Sequence, residues 1–218
     1  GSRAAVCNGT CGWRLLIPSM PDFDLTGLRR RLRAARRAVG ASDRVAAAAA
    51  VDAMLKRMGL PRPRSRISAY LASDGELDPA IIVRRALALG CEVHMPVITS
   101  LRRRRMRFER WPPGPRHSAA GGDPARWFDL VLTPLVGFDD DGNRIGRGAG
   151  FYDRHFEFLR HRNAWHRPLM LGLAFELQRV ERLPAKPRDV PLWGIVTECG
   201  VYGRAAALNR EKHGENGS

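Results

Sequence analysis

An apolar run, Asp129-Leu130-Val131-Leu132-Thr133-Pro134-Leu135-Val136, leads into the loop Gly142-Asn143-Arg144-Ile145-Gly146-Arg147-Gly148-Ala149-Gly150. The loop continues through Phe151-Tyr152-Asp153-Arg154, and Tyr152 to Arg160 reads as a helix. A buried strand, a glycine loop and a helix in that order commit this part of the chain to an α/β plan. Glycines at alternate positions 146, 148 and 150 carry no Cβ, so the backbone can come close to a bulky anion. Arg144 and Arg147 add positive charge, and the following helix adds its N-terminal dipole. Asp153 places a carboxylate where it could hold a divalent ion bridging phosphate oxygens. Two readings stay open on spacing alone, a phosphate cradle and a tight turn. Asp153 is equally readable as a first-turn acid favoured by the dipole. The loop is not a Walker A motif, because no Gly-Lys-Ser/Thr closes it. Its third glycine also comes one residue too early for G-x-G-x-x-G.

The rest of the chain supports the same plan. Leu25, Leu28, Leu32, Ala35 and Val39 recur at helical spacing, with a strongly basic opposite face. Ser42 is the expected N-cap of a second helix, which runs to Met58 and is stopped by Gly59 and Pro61. Ile67 to Leu71 reads as a short strand. Asp78-Pro79 opens a helix that ends near Leu89 with Gly90 beyond it. Strands are expected at Glu92–Pro96, Met106–Arg110 (an edge), Leu169–Ala174 and Ile195–Thr197, with a loop over 112–126. Strands alternating with helices predict a mostly parallel sheet covered on both faces. Ligands on such sheets sit outside the carboxyl ends of the strands, where the glycine loop, residues 70–76 and the region of Asp189 can meet.

At 218 residues and 44% hydrophobic content the chain suits one soluble domain. That domain is expected over 25–205, with an irregular N-terminal extension over 1–24, whose Gly1-Ser2 reads as a tag remnant, and a disordered tail over 206–218. No apolar run reaches membrane-spanning length and no secretory signal is evident, so a cytoplasmic protein without membrane partners is expected. A monomer is expected. The net charge of +15 is almost wholly arginine, since only Lys56, Lys186 and Lys212 are lysines. Such a charge draws polyanions. A nucleic-acid reader needs interleaved aromatics or a recognition helix, and neither is visible, so no specific nucleic acid is expected. Arg102-Arg103-Arg104-Arg105 is the densest patch. Cys7, Cys11, Cys91 and Cys199 lack zinc-site spacing and read as idle thiols.

Three segments together resemble the 5-formyltetrahydrofolate cyclo-ligase (5,10-methenyltetrahydrofolate synthetase) family. The first runs from Leu132-Thr133-Pro134-Leu135-Val136-Gly137-Phe138-Asp139 through Tyr152-Asp153. The second is Tyr70-Leu71-Ala72-Ser73-Asp74-Gly75-Glu76-Leu77-Asp78. The third is Leu183-Pro184, Arg188-Asp189-Val190-Pro191-Leu192 and Ile195-Val196-Thr197-Glu198. The likeness spans about Leu28 to Tyr202. It implies a three-layer α/β/α sandwich with a mostly parallel sheet, similar to ribose-phosphate isomerase and the CoA transferases. It further implies ATP- and Mg2+-dependent conversion of 5-formyltetrahydrofolate to 5,10-methenyltetrahydrofolate. In the family's chemistry the formyl oxygen attacks the γ-phosphate, N10 closes the ring, and ADP and phosphate leave.

Carried over position by position, the resemblance implies ATP binding by Arg29, Arg144, Ile145, Gly146, Arg147, Gly148, Ala149, Gly150, Phe151 and Tyr152. It implies folate binding by Tyr70, Leu71, Glu76 and Tyr152, and magnesium binding by Asp153 and Asp189. The chain departs from the family's pattern at three places. Leu25 stands where a lysine is frequent. Residues 112–126 lack the Asn-x-x-Gly-Ile-x-Glu-Pro segment. Trp193 replaces an acid or small residue. A relative that binds nucleotide and folate, or another formyl or amide substrate, without this turnover is the alternative, and a basic nucleic-acid-binding protein is a more distant one.

Overall fold

The computed structural model describes residues 24–113, 124–161, 168–184 and 189–206. The expected extension before residue 24, the tail from 207 on, Cys7, Cys11, Arg188 and most of the divergent 112–126 loop lie outside these residues. Helices α1 (Leu25–Ala38) and α2 (Ala41–Arg57) come first, followed by β1 (Arg66–Ser68), α3 (Ala80–Ala88), β2 (Glu92–Ser100) and β3 (Arg105–Trp111). Strand β4 (Leu130–Pro134) leads to a small hairpin, β5 (Gly137–Phe138) and β6 (Arg144–Ile145). Then come α4 (Phe151–His155), β7 (Leu169–Leu173), β8 (Gly194–Val196) and β9 (Val201–Tyr202). Among the described residues no helix is long and apolar enough to cross a membrane.

The main sheet has the order β3-β2-β1-β4-β7-β8-β9. Its five inner strands are parallel, and β3 and β9 are antiparallel edges. Alternate side chains of the central strands enter opposite cores. Leu130, Leu132, Leu171, Leu173 and Val196 pack with Val51 and Leu55 of α2 and with Ile82, Val83 and Ala86 of α3. Val131, Met170 and Ile195 face a second cluster built on Phe108, Phe128, Phe138 and Phe156. The sheet is therefore covered on both faces, as expected. The second face is covered by short turns and α4 rather than by long helices. Starting at β1, the chain builds outward through β2 and then returns through β4 on the other side. The crevice at which the order reverses lies between the carboxyl ends of β1 and β4, where ligands bind in open α/β sheets.

Several expected boundaries shift for local reasons. Gly40, not Ser42, is the N-cap of α2. Arg44 draws the first turn of α2 against the end of α1, donating to the carbonyls of Arg36 at 2.7 Å and Val39 at 3.0 Å. Strand β1 stops at Ser68 instead of reaching Leu71, because the chain leaves the sheet there. Strand β2 runs past Pro96 to Ser100, supported by pairing with β3 as far as Ser100↔Arg105. The helix expected over Tyr152–Arg160 is a single turn, Phe151–His155, followed by a 3-10 turn over Glu157–His161. Phe156 and Leu159 both enter the second core, three residues apart, as the tighter turn allows. So short a helix contributes little of the dipole expected at the glycine loop.

The basic face of α1 is largely a clamp. Its arginines grip residues 74–75, in the loop that follows β1. Arg33 donates to Asp74 Oδ2 at 2.7 Å and Arg37 to Asp74 Oδ1 at 2.8 Å. Arg36, only 1% exposed, donates to both Asp74 O and Asp74 Oδ2 at 2.9 Å and reaches Leu135 O, just past β4, at 3.1 Å. Arg44 adds Gly75 O at 2.8 Å. Arg33 above all, then Arg37 and Arg36, hold the Asp74 carboxyl well below the usual carboxylate range despite partial burial. Because this value is depressed in the fold, the clamp is at full strength above the ordinary aspartate pKa of about 4 and is lost only as pH falls below it.

Burial separates the arginines energetically. Arg36→Ala leaves the Leu135 and Asp74 carbonyls without their buried donor and removes one of the three cations on Asp74, and is expected to cost about 3–5 kcal/mol in urea unfolding. Arg33→Ala, at a half-exposed position, is expected to cost below about 1 kcal/mol. Equal losses for the two would show that burial does not set the strength of the clamp.

Candidate active site

A cleft of about 560 Å³ opens at this reversal of strand order. Its walls come from the segment after β1, the outer half of β2, the end of β4, the glycine loop and Asp189. Each residue that the resemblance assigns to ATP, folate or magnesium lines it. Segments nearly 120 residues apart in sequence, from Tyr70 to Asp189, thus converge on one cavity.

The glycine loop is held from below. Asp139, almost fully buried, accepts from Asn143 N and Asn143 Nδ2 at 2.9 Å each, which fixes the β5–β6 turn, and from Leu183 N at 2.9 Å. Gly137 packs so tightly on α1 that an added Cβ would meet Leu32 at 2.6 Å. Gln178, also buried, donates to Leu135 O at 2.7 Å and Val136 O at 3.0 Å. Arg29 donates from Nε to Gly146 O at 3.0 Å, tying the loop to α1. Gly148 and Gly150 have φ of +97° and +65°, which L side chains rarely adopt. At Gly146, Gly148 and Gly150 an added Cβ would meet nothing within 4 Å, so this stretch of backbone is bare toward open space.

The charged groups form two linked pairs. Arg147 donates to Glu76 Oε1, with its nearer nitrogen at 2.8 Å, and to Ser73 Oγ at 2.7 Å. Glu76 is 7% exposed and also accepts from Ser73 N at 3.2 Å. Arg144 donates to Asp153 Oδ1 at 2.6 Å and to Val190 O. The same Asp153 oxygen accepts from Val190 N at 3.1 Å, which brings the segment carrying Asp189 to the loop. Tyr70 is buried and donates to Leu77 O at 2.6 Å, whereas Leu71 is 65% exposed on the cleft wall. The Tyr152 hydroxyl is buried without a hydrogen-bond partner. Burial, and then the charge of Glu76, push its phenol well above the usual tyrosine range, so it remains a proton donor at neutral pH.

Asp153 and Asp189 supply hard oxygen donors. No cluster of three or more His, Cys, Asp or Glu side chains suited to a metal occurs among the described residues. Two carboxylates without a closed protein cage fit magnesium, which keeps waters and takes further oxygens from phosphates. The residues least visible in the sequence are Arg36, Asp139 and Gln178, which touch backbone groups that shape the cleft. Arg36 looked like one arginine in a basic face. Its only distinguishing sign was its place one turn after Leu32, on the edge of the apolar stripe.

The model of the 5-formyltetrahydrofolate cyclo-ligase family matches residues 24–198. The Haemophilus influenzae 5-formyltetrahydrofolate cyclo-ligase is 30% identical over 147 residues, covering 62% of this chain and 76% of that protein. The Escherichia coli K12 cyclo-ligase is 30% identical over 148 residues, 62% of this chain and 79% of that protein. Among solved structures, the Mycoplasma pneumoniae 5,10-methenyltetrahydrofolate synthetase superposes with a TM-score of 0.65 at 22% identity, covering 81% of this chain and 99% of that one. The Aquifex aeolicus synthetase superposes with a TM-score of 0.63 at 24% identity, covering 82% and 91%. The structural likeness confirms the mixed α/β fold with its mostly parallel sheet. The family-model match spans most of the chain, and on that ground the chain belongs to the 5-formyltetrahydrofolate cyclo-ligase family.

Proposed function

We propose that this cleft binds 5-formyltetrahydrofolate and ATP with magnesium and closes the formyl group onto N10, giving 5,10-methenyltetrahydrofolate, ADP and phosphate. The observation that carries the reading is the convergence of three separated sequence blocks on one cleft at the reversal of strand order. A formamide oxygen is a weak nucleophile and a poor leaving group, so ring closure needs that oxygen phosphorylated first. Phosphoryl transfer asks the protein mainly for alignment and charge neutralisation. The bare backbone at 146–150, with Arg29, Arg144 and Arg147, supplies both.

Asp153 and Asp189 would hold magnesium, whose chemistry is to neutralise charge on the phosphate oxygens. Arg147 bridges the two halves of the site. Phosphate oxygens compete with Glu76 for its guanidinium, and a Glu76 released in this way accepts pterin N–H groups. The Tyr152 hydroxyl donates to the substrate, and Leu71, Pro96 and Ile98 give the apolar wall against which a flat ring packs.

Purified protein with 5-formyltetrahydrofolate, ATP and magnesium is expected to develop the methenyl-folate absorbance band, and omitting ATP is expected to abolish it. Asp153→Ala is expected to lose this magnesium-dependent turnover while keeping its circular dichroism spectrum. Folded wild-type protein that gives no ATP-dependent band would refute the reaction, and full activity in Asp153→Ala would refute the metal role.

Tyr152→Phe separates catalysis from stability. It removes a buried hydroxyl that the protein leaves unpaired, so thermal stability should hold or rise. Turnover efficiency should fall about tenfold or more, as for a lost hydrogen bond to substrate. Unchanged kcat/KM would exclude the hydroxyl from the site.

A further inference from the structure

The two arginines of the glycine loop differ in how firmly they are held. The Arg144 side chain is 9% exposed and is fixed by Asp153 and Val190 O. The Arg147 side chain is 45% exposed and stands between Gly146 and Gly148, at each of which an added Cβ would meet nothing within 4 Å. Its guanidinium reaches across the cleft to the loop after β1. Nε donates to Glu76 Oε1 at 3.1 Å, and Nη2 lies 2.8 Å from the same oxygen. Nη2 also donates to Ser73 Oγ at 2.7 Å and to Ser73 O at 3.1 Å.

These contacts occupy the carboxylate. Arg147 takes Glu76 Oε1, while Oε2 accepts from Ser73 N at 3.2 Å and Ser73 Oγ at 3.4 Å. The Glu76 side chain is 4% exposed, so losing its cation without a replacement is costly. The backbone around it is pinned separately, by Arg33, Arg36 and Arg37 on Asp74 and by Arg44 on Gly75 O. Parting the pair therefore asks for a rotation of one half-exposed side chain, not for a rearrangement of residues 73–76. The exposed partner turns away and the buried one stays in place.

We infer that Arg147 is a latch coupling the two substrates: nucleotide phosphate draws it off Glu76 and so opens that carboxylate to the folate. The inference rests on the proposed folate reaction. Both ligands need the same ion pair parted, since phosphate takes the guanidinium and the ring N–H groups take the carboxylate. Whichever binds first parts the pair, and the second finds it already parted. Each ligand therefore tightens the binding of the other, by a factor that linkage makes equal in both orders. The arrangement suits the chemistry, because Glu76 accepts the folate most readily when the phosphate that activates its formyl oxygen is in place.

The test is calorimetric, on the full chain. Binding of 5-formyltetrahydrofolate is measured with and without magnesium and the non-hydrolysable β,γ-imido analogue of ATP, and then in the reverse order. The wild type is expected to bind the folate about tenfold or more tightly with the analogue, with the same factor in reverse. Adenosine, which carries no phosphate, should give no gain. Arg147→Met removes the guanidinium and keeps an apolar stem, and its factor should shrink toward one. Arg29→Gln, at an arginine held by Gly146 O rather than by Glu76, should weaken the analogue and keep the factor. A wild-type folate affinity that ignores the analogue overturns the latch, as does an equal gain with adenosine. So does a factor that survives in Arg147→Met or falls equally in Arg29→Gln. Turnover, read by the methenyl-folate band, separates the two claims. Coupling that depends on Arg147 without turnover upholds the latch and refutes the reaction. Turnover with independent affinities does the reverse, and a folate that binds under no condition refutes both.

Discussion

The buried guanidinium of Arg36 is the contact on which the cleft's geometry depends. It joins the loop after β1 to the segment after β4, through Asp74 and Leu135, across the point where the strand order reverses. Those two segments are the lips of the cleft. A buried arginine is tolerated only when its donors are matched, and here two carbonyls and a carboxylate match them. Glu76 lies 3.9 Å from the same guanidinium and is buried beside it. The cation therefore also faces a second carboxylate at the floor of the site. Arg147 then extends the network from Glu76 to the glycine loop. A chain of alternating charges runs from α1 to the proposed phosphate end.

That chain changes the meaning of the high positive charge. Much of the arginine near the cleft is structural, spent on fixing loops that have little regular structure of their own. Arg33, Arg36, Arg37 and Arg44 grip residues 74–75, and Arg144 ties the glycine loop to the segment carrying Asp189. Among the described residues, the positive charge beside the cleft that no carboxylate pairs includes Arg29, held by Gly146 O, and the arginines at the tip of the β2–β3 hairpin. A global excess of charge therefore resolves into a clamp, a phosphate-facing pair and a rim.

What could be read from the sequence follows from the range of the interactions involved. The parallel sheet was legible because its strands are short apolar runs between helical patterns, and both faces of the central strands β4, β7 and β8 are largely buried. The convergence of Tyr70–Glu76, the glycine loop and Asp189 followed from each lying just after a strand or near one in such a sheet. The parts that were missed depend on tertiary partners. Ser42 has the right chemistry for a cap, but Arg44 pulls the start of α2 so that the cap falls two residues earlier, at Gly40. Tyr152–Arg160 has enough helical character for a helix, yet Phe156 and Leu159 tighten it to fill the core under the sheet. The β5–β6 hairpin has two residues per strand and is defined by the Asp139 turn rather than by strand propensity. Arg36 was hidden among its neighbours because nothing local marks which arginine of a basic helix is buried.

The central claim is that this one cleft brings the formyl oxygen of the folate to the terminal phosphate of ATP. Oxygen tracing tests it most directly. With 5-formyltetrahydrofolate labelled by 18O in the formyl group, the inorganic phosphate released in a single turnover should carry one labelled oxygen. Phosphate without the label, formed alongside methenyl-folate, would contradict phosphorylation of the formyl oxygen and the arrangement of the site proposed around it.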